Sequence, residues 1–294
     1  MLTIRRILCP IDFSDVSRRA LAHAVVIGRW FGAHLTLLHV GSPGSPPVLY
    51  TDVSTPDLQD LRELKDQVQT WLSGAWAAGL VSDIVIGEGD PAACILKSAA
   101  SGADLIVMGT HGRGGFERLV LGSVAEKVLR KANCPVMTVP PQAIATSKLP
   151  FRHVLCPVDF SESSLAARQL AFSLTHVADT RLTILHVFEW TSDEASARLV
   201  LKESEFHRQW GAETRQRLED LIPEDVRNGC EPDTRLEYGK VYEQILGLAA
   251  TGHVDLIVMG VHGRNPLDVK LFGSTTNQVV RRATCPVLAL RAPR

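Results

Sequence analysis

Two stretches of this chain carry residues whose types and spacing suit the holding of a phosphate. In residues 103–139 a glycine (Gly109) leaves a run of apolar residues, and Gly112 follows three positions later. After nine intervening residues, Gly122-Ser123 opens a helical pattern. Residues 254–290 repeat the arrangement with Gly260, Gly263, Gly273 and Ser274. Glycine lets a backbone approach a ligand and present N–H groups without a Cβ in the way. A helix opening at Ser123 or Ser274 adds exposed N–H donors and a favourable dipole. The competing reading is structural: Ser123 with Glu126 has the spacing of a capping box, and Gly109 serves a tight turn.

Other polar residues accompany the glycines. Asp12 and Asp159 each follow a first apolar segment. A carboxylate there could accept hydrogen bonds from a base amino group or a ribose hydroxyl, or it could form an Asx turn. Arg113 and Arg264 follow the second glycines and could clamp phosphate oxygens. His111 and His262 lie in the same loops and are read as ordering them. His39 and His186 lie in strand-like runs and read as core histidines. Neither a GxxxxGK[ST] loop nor a GxGxxG after the first strand is present, so P-loop and dinucleotide-binding readings are set aside. There is no HExxH, Ser-His-Asp order or paired-carboxylate arrangement. A receiver-type phospho-acceptor aspartate would want further acidic residues and a lysine that the sequence does not offer.

The elements that must position these residues come in duplicate. LCPIDFS (8–14) returns as LCPVDFS (155–161), LTLLHV (35–40) as LTILHV (182–187), and DLIVMG (104–109) as DLIVMG (255–260). The halves stay in register except for four extra residues between the second and fourth strands of the second half. The expected domains are 1–142 and 150–294, divided in the proline-flanked PPQAIATSKLP. In the first half, strands are expected at Ile4–Cys9, Leu35–Val40, Val81–Ile86, Leu105–Met108 and Val136–Val139. Helices are expected over Val16–Phe31 with Ser14 as N-cap, from Thr55-Pro56 through Leu72, over Pro91–Ala100 and from Gly122-Ser123. Residues 41–55, rich in Gly, Pro and Ser, are expected to be loop. The second half predicts strands near 153–156, 182–187, 234–238, 255–259 and 286–290, with a long second helix from about Glu194 to Leu221. Alternating β and α, with continuously apolar strands, implies a parallel sheet covered on both faces. Ligands of such sheets sit beyond the carboxyl ends of the strands, which collects Asp12, Val40 and Gly109 at one rim and Asp159, Val187 and Gly260 at another.

Composition limits the alternatives. A chain of 294 residues has room for about two domains. With 31 basic and 32 acidic residues it is nearly neutral, which argues against a broad nucleic-acid surface. No stretch reaches the roughly 18 apolar residues of a membrane span, and no export signal opens the chain, so the cytoplasm is the expected compartment. The six cysteines show no CxxC and read as reduced, buried small hydrophobes.

GTHGRGGFERLVLGS and GVHGRNPLDVKLFGS fit the Gly-x2-Gly-x9-Gly-Ser/Thr motif of the universal stress protein family, and LCPIDFS, LCPVDFS, NCPV and TCPV also resemble it. The resemblance runs over nearly the whole chain, as a tandem of two such domains. It implies two α/β sandwiches, Rossmann-like and of the adenine nucleotide alpha hydrolase-like type, each with a five-stranded parallel sheet in the order 3-2-1-4-5. It also implies ATP binding, with Mg²⁺ accompanying the nucleotide. Carried over by position, Asp12 and the backbone of Val40 would face adenine and ribose, while Met108, Gly109, Gly112, Gly122, Ser123 and Val124 would line ribose and phosphates. Their counterparts are Asp159, Val187, Met259, Gly260, Gly263, Gly273, Ser274 and Thr275. The second copy departs from the pattern at Asn265-Pro266, where proline removes a donor, and at Thr275-Thr276. Family members pair through their last strands, so 136–139 and 287–290 are the segments expected to join the halves. The implied function is a nucleotide-binding regulator of the stress response, acting on a protein partner through the loops at 41–55 and 109–122. Slow ATP hydrolysis or autophosphorylation at Ser123 or Ser274, and a scaffold with structural glycine loops, stand as alternatives.

Overall fold

The computed structural model describes residues 4–41, 48–50, 59–72, 82–112, 121–143, 151–175, 180–189, 205–261 and 273–291. The chain divides into two compact units, Thr3–Leu149 and Pro150–Arg294. In the first, the elements are β1 (Arg6–Ile11), α1 (Asp15–Phe31), β2 (His34–Gly41), β3 (Val48–Tyr50), α2 (Gln59–Leu72), β4 (Ser82–Glu88), α3 (Pro91–Ala100), β5 (Leu105–Gly109), α4 (Ser123–Lys131) and β6 (Val136–Val139). Parallel pairing runs from β4 to β2 to β1 to β5 to β6, so β1 is central. Leu35, Leu37, Leu38, Ile106 and Val107 are wholly buried, as a two-faced parallel sheet requires.

Local chemistry fixes the element ends. Ser14 caps α1, its side chain accepting from Ser17 N–H, and Gly32 closes the helix in the left-handed region at φ 61°. Asp90 caps α3 by accepting from Ala93 N–H, with Pro91 at the first helical position. At the amino ends of β1 and β5, Asp104 Oδ2 accepts from Arg5 N–H (2.8 Å) and Arg6 N–H (2.9 Å). Asp255 Oδ2 does the same for Arg152 N–H (2.7 Å) and His153 N–H (3.1 Å) in the second unit. With the backbone bonds Asp104 N–H to Arg6 O (2.8 Å) and Asp255 N–H to His153 O (2.9 Å), these carboxylates hold the central strand to its neighbour.

The second unit comprises β7 (His153–Pro157), α5 (Glu162–Thr175), β8 (Arg181–Phe188), α6 (Glu205–Asp220), α7 (Glu224–Gly229), β9 (Glu231–Tyr238), α8 (Val241–Thr251), β10 (Leu256–Gly260), α9 (Ser274–Arg282) and β11 (Val287–Leu290). Its parallel pairing runs β9, β8, β7, β10, β11.

Two expectations need correction. Residues 48–50 are not loop: they form a short antiparallel edge strand on the end of β4, which gives the first sheet a sixth strand. Of the helix expected from about Glu194 to Leu221, Glu205–Asp220 is helical and residues 194–204 lie outside the described residues; a separate short helix, Glu224–Gly229, follows. Pro223, without an N–H, stands at the N-cap of that second helix. Strand β1 lies two residues later than expected, at Arg6–Ile11, and carries Pro10 inside it. The expected helix start at Thr55-Pro56 lies outside the described residues.

Candidate functional site

The carboxyl rim of the first unit is built around a turn that both copies share. Asp12 follows β1, and its Oδ1 accepts from Ser14 N–H (3.1 Å) and Ser14 Oγ–H (2.6 Å). The second copy has Asp159 Oδ1 accepting from Ser161 N–H (3.0 Å) and Ser161 Oγ–H (2.5 Å). These bonds span a residue with positive φ: Phe13 at 62° and Phe160 at 63°. A bulky residue in that region is costly, so the Asx turn and the ring contacts must hold it. Phe13 stacks on His39 with centroids 4.7 Å apart, and Phe160 on His186 at 5.0 Å. Each histidine is buried and donates Nδ1–H to the strand end: His39 to Ile11 O (2.9 Å), His186 to Val158 O (2.6 Å). The core reading of both histidines therefore holds.

Register brings Val40 to this turn. His39 pairs with Ile11 across β1 and β2, so the half-buried Val40 lies beside Asp12, and Val187 lies likewise beside Asp159. The carboxylate of Asp12 also meets the glycine loop. A Cβ built on Gly112 would lie 2.7 Å from Asp12 Oδ2, so a side chain at 112 would displace the carboxylate from its present position. Oδ2 carries no hydrogen bond among the described residues.

The other motif glycines have packing reasons of their own. A Cβ on Gly109 would lie 2.8 Å from Val16 Cγ1 of α1, and one on Gly260 would lie 2.6 Å from Ser163 Oγ of α5. Both glycines let the helix lie close on the strand. Gly122 N–H donates to Thr110 O (2.8 Å) and Gly273 N–H to Val261 O (3.1 Å), closing each loop onto the strand end. Gly122 and Gly273 are the N-caps of α4 and α9. Ser123 is thus the first helical residue and not a cap, and the capping box read from Ser123 and Glu126 is not formed. Whereas α1 and α3 are covered by their own Ser14 and Asp90, α4 and α9 begin on residues that bring no capping side chain. Ser123 and Ser274 are exposed there, with Val124 and Thr275 half-buried behind them.

Met108 and Met259 are buried beneath the rim. His111 Nδ1 lies 2.8 Å from Thr110 Oγ1, while its buried Nε2 finds no hydrogen-bond partner among the described residues. Arg113, Gly263 and Arg264, with His262, lie outside the described residues. In the second unit Thr276 Oγ–H donates to Gly260 O at 3.0 Å, a tie that Ala125 cannot make in the first. All six cysteines are free. Burial pushes the thiols of Cys156 and Cys285 up to about 12 and that of Cys134 to about 11, so none is poised as a nucleophile. Among the described residues no group of three or more His, Cys, Asp or Glu is placed to hold a metal, and no helix is long and apolar enough to cross a membrane.

Comparison with known proteins gives the same picture twice over. The model of the universal stress protein family matches residues 3–140 and again 150–291. A universal stress protein of Mycolicibacterium smegmatis is 27% identical over 305 aligned positions, covering 97% of this chain and 96% of that one. One from Methanocaldococcus jannaschii is 36% identical over 145, covering 46% of this chain and 81% of its own length. Among solved structures, a universal stress protein from Archaeoglobus fulgidus superposes with a TM-score of 0.65 at 24% identity, covering 98% and 96% of the two chains.

Proposed function

Because the chain belongs to the universal stress protein family, with a family domain in each half, we propose that it is an adenine-nucleotide-binding regulator of the stress response, taking ATP at the first of two matched sites. The observation that carries the reading is the convergence of Asp12 Oδ2 on Gly112, with a Cβ position only 2.7 Å away. A carboxylate oriented by its other oxygen, the glycines Gly109 and Gly112 and a glycine-capped helix meet at one rim. The resident groups fit the parts of a nucleotide. Asp12 Oδ2 is an acceptor for a ribose or base donor, and the backbone of Val40 offers groups to the base edge. The first N–H groups of α4, at Ser123 and Val124, face the phosphates with the positive end of the helix dipole. Gly109 and Gly112 give the backbone its close approach, Met108 floors the pocket, and Arg113 supplies a cation.

The second site uses Asp159, Val187, Met259, Gly260, Gly263, Arg264, Gly273, Ser274 and Thr275 in the same parts. Mg²⁺ would travel with the phosphates, since this ion keeps much of its water and takes few protein ligands. Bound nucleotide would order the loops that a protein partner reads, and the two domains, 1–142 and 150–294, would respond separately.

The test is to purify the protein without added nucleotide, denature it and chromatograph what is released, then titrate ATP by calorimetry. Released adenine nucleotide, or saturable heat in the micromolar to millimolar range, is the expected result. Neither appearing would refute the proposal.

A further inference from the structure

Just past Val187, the second unit differs from the first in kind. In the first unit, β2 ends on Gly41, which pairs with Glu88 at the end of β4. At the corresponding register of the second unit, Phe188 ends β8 and pairs with Tyr238 at the end of β9. Their ring centroids are 5.4 Å apart at an interplanar angle of 30°. Helix α6 adds a third ring. It buries Gly211, Thr214 and Leu218 at helical spacing and sets Trp210, at the border of that face, 4.1 Å from Phe188 at 34°. In α2, by contrast, no aromatic residue precedes Trp71 in its last turn.

This cluster is continuous with the candidate site. His186 meets Phe188 edge-on at 4.9 Å and Phe160 at 5.0 Å, and Phe160 follows Asp159 directly. Yet Trp210 remains 43% exposed. An indole stacked on one neighbour and open to solvent, at the rim where strands end, is a surface on which a flat ring can lie.

We propose that Phe188, Tyr238 and Trp210 form a base-stacking shelf, so that the second site holds a purine nucleotide chiefly through its base, and takes nucleoside monophosphate where the first takes triphosphate. This rests on the nucleotide reading of the Asp159–Val187 rim. Aromatic stacking is indifferent to the phosphate tail, and the loop of the second copy carries Pro266, which has no N–H to offer phosphate. The first copy has the opposite balance, with Gly41 and Glu88 where the shelf would be and Gly114-Gly115 in its loop.

The experiment is calorimetry on the full chain with AMP, ATP and inorganic tripolyphosphate, using wild type, Trp210→Leu and Trp210→Phe. One site per chain is expected to take AMP preferentially and to ignore tripolyphosphate. Trp210→Leu should weaken AMP there by about ten-fold, within the range of one base–aromatic stack, while Trp210→Phe holds it within about three-fold and neither changes the ATP site. AMP should quench wild-type fluorescence more than that of Trp210→Phe. If Trp210→Leu fails to fold, Tyr238→Glu, which reproduces Glu88, should give the same loss. Unchanged AMP affinity in a folded variant overturns the shelf, whether or not its melting temperature falls. Wild type that binds ATP but no AMP also overturns it. Wild type that binds no nucleotide at all refutes instead the reading on which the shelf rests.

Discussion

Glycine at the carboxyl end of β10 is demanded by packing, and Gly260→Ala measures that demand. The added methyl would lie 2.6 Å from Ser163 Oγ and 2.8 Å from both Ser163 C and Ser164 N. Two of these are backbone atoms in the first turn of α5. They cannot rotate away, and the turn is tied down by Ser164 Oγ–H donating to Ser161 O at 3.0 Å. Relief requires the helix to retreat from the strand. Gly109→Ala is the matched control. Its close contact is a side-chain atom, Val16 Cγ1 at 2.8 Å, with backbone no nearer than His111 O at 3.3 Å, and the half-buried Val16 can change rotamer. Overpacking costs roughly 1–3 kcal/mol, so Gly260→Ala should fall near about 3 kcal/mol and Gly109→Ala near about 1 kcal/mol. Urea unfolding followed by circular dichroism reads the difference, since a slope of roughly 1–3 kcal/mol/M turns about 2 kcal/mol into a midpoint separation of about 1 M. Equal costs, or a milder Gly260→Ala, would refute the packing account and leave both glycines to be explained by a ligand.

Two further outcomes follow from particular side chains. Asp12→Asn keeps an Oδ1 acceptor for Ser14 but removes the charge at Oδ2. ATP affinity at the first site should fall by roughly ten-fold or more, the worth of a hydrogen bond to a charged group, with no loss of thermal stability. A melting temperature that falls while affinity holds would make Asp12 a turn residue alone. His153 is held below the ordinary imidazole range by burial first, with Arg181 and Arg235 adding to the effect. Its neutral ring donates Nδ1–H to Gly252 O (2.7 Å) and accepts from Thr183 Oγ–H (2.8 Å). A depressed folded pKa means that stability is full above the unfolded value of about 6.5 and is lost as pH falls from there towards the folded value. Unfolding midpoints measured on that acid side should drop less steeply in His153→Gln than in wild type, and parallel slopes would count against the assignment.

Much of this fold could be read from short local patterns. The apolar runs LTLLHV and DLIVMG, the Ser14 cap and the proline at the first position of α3 are decided within a few residues of themselves, and the repeat supplied each of the first two twice. What escaped is decided across the chain. Val48–Tyr50 is β-prone in type but only three residues long beside a Gly/Pro/Ser run, and it becomes a strand by pairing with the open edge at the end of β4. The N-cap of α4 falls on Gly122 and not on Ser123, with Gly122 N–H drawn to Thr110 O, a contact the local capping pattern does not encode. The site was legible as two lists, the glycines and the strand-end residues. That Asp12 Oδ2 stands where a side chain at Gly112 would go depends on β1 and β5 being neighbours. The aromatic cluster was not legible at all: residues 188, 210 and 238 belong to three separate elements, and none of them stands out alone.

The two copies separate what the rim needs in order to exist from what it does. Both keep an Asp-Phe-Ser turn with phenylalanine at positive φ, although each such residue carries backbone strain of about 1–3 kcal/mol. Both keep the histidine under that ring, donating to the strand-end carbonyl, and both cap the helix after the glycine loop, α4 or α9, with glycine. Those features build the frame, and relaxing any of them would release the aspartate from its orientation. The differences gather where separate parts of a ligand would touch. Gly41 and Glu88 give way to Phe188 and Tyr238 on one side. On the other, Val16 and Ala125 give way to Ser163 and Thr276, whose hydroxyl fixes the end of β10 through Gly260 O. Among the described residues the carboxyl rim is thus alike in its backbone and varied in its lining, which is the arrangement expected of two sites that select different ligands within one chemical class.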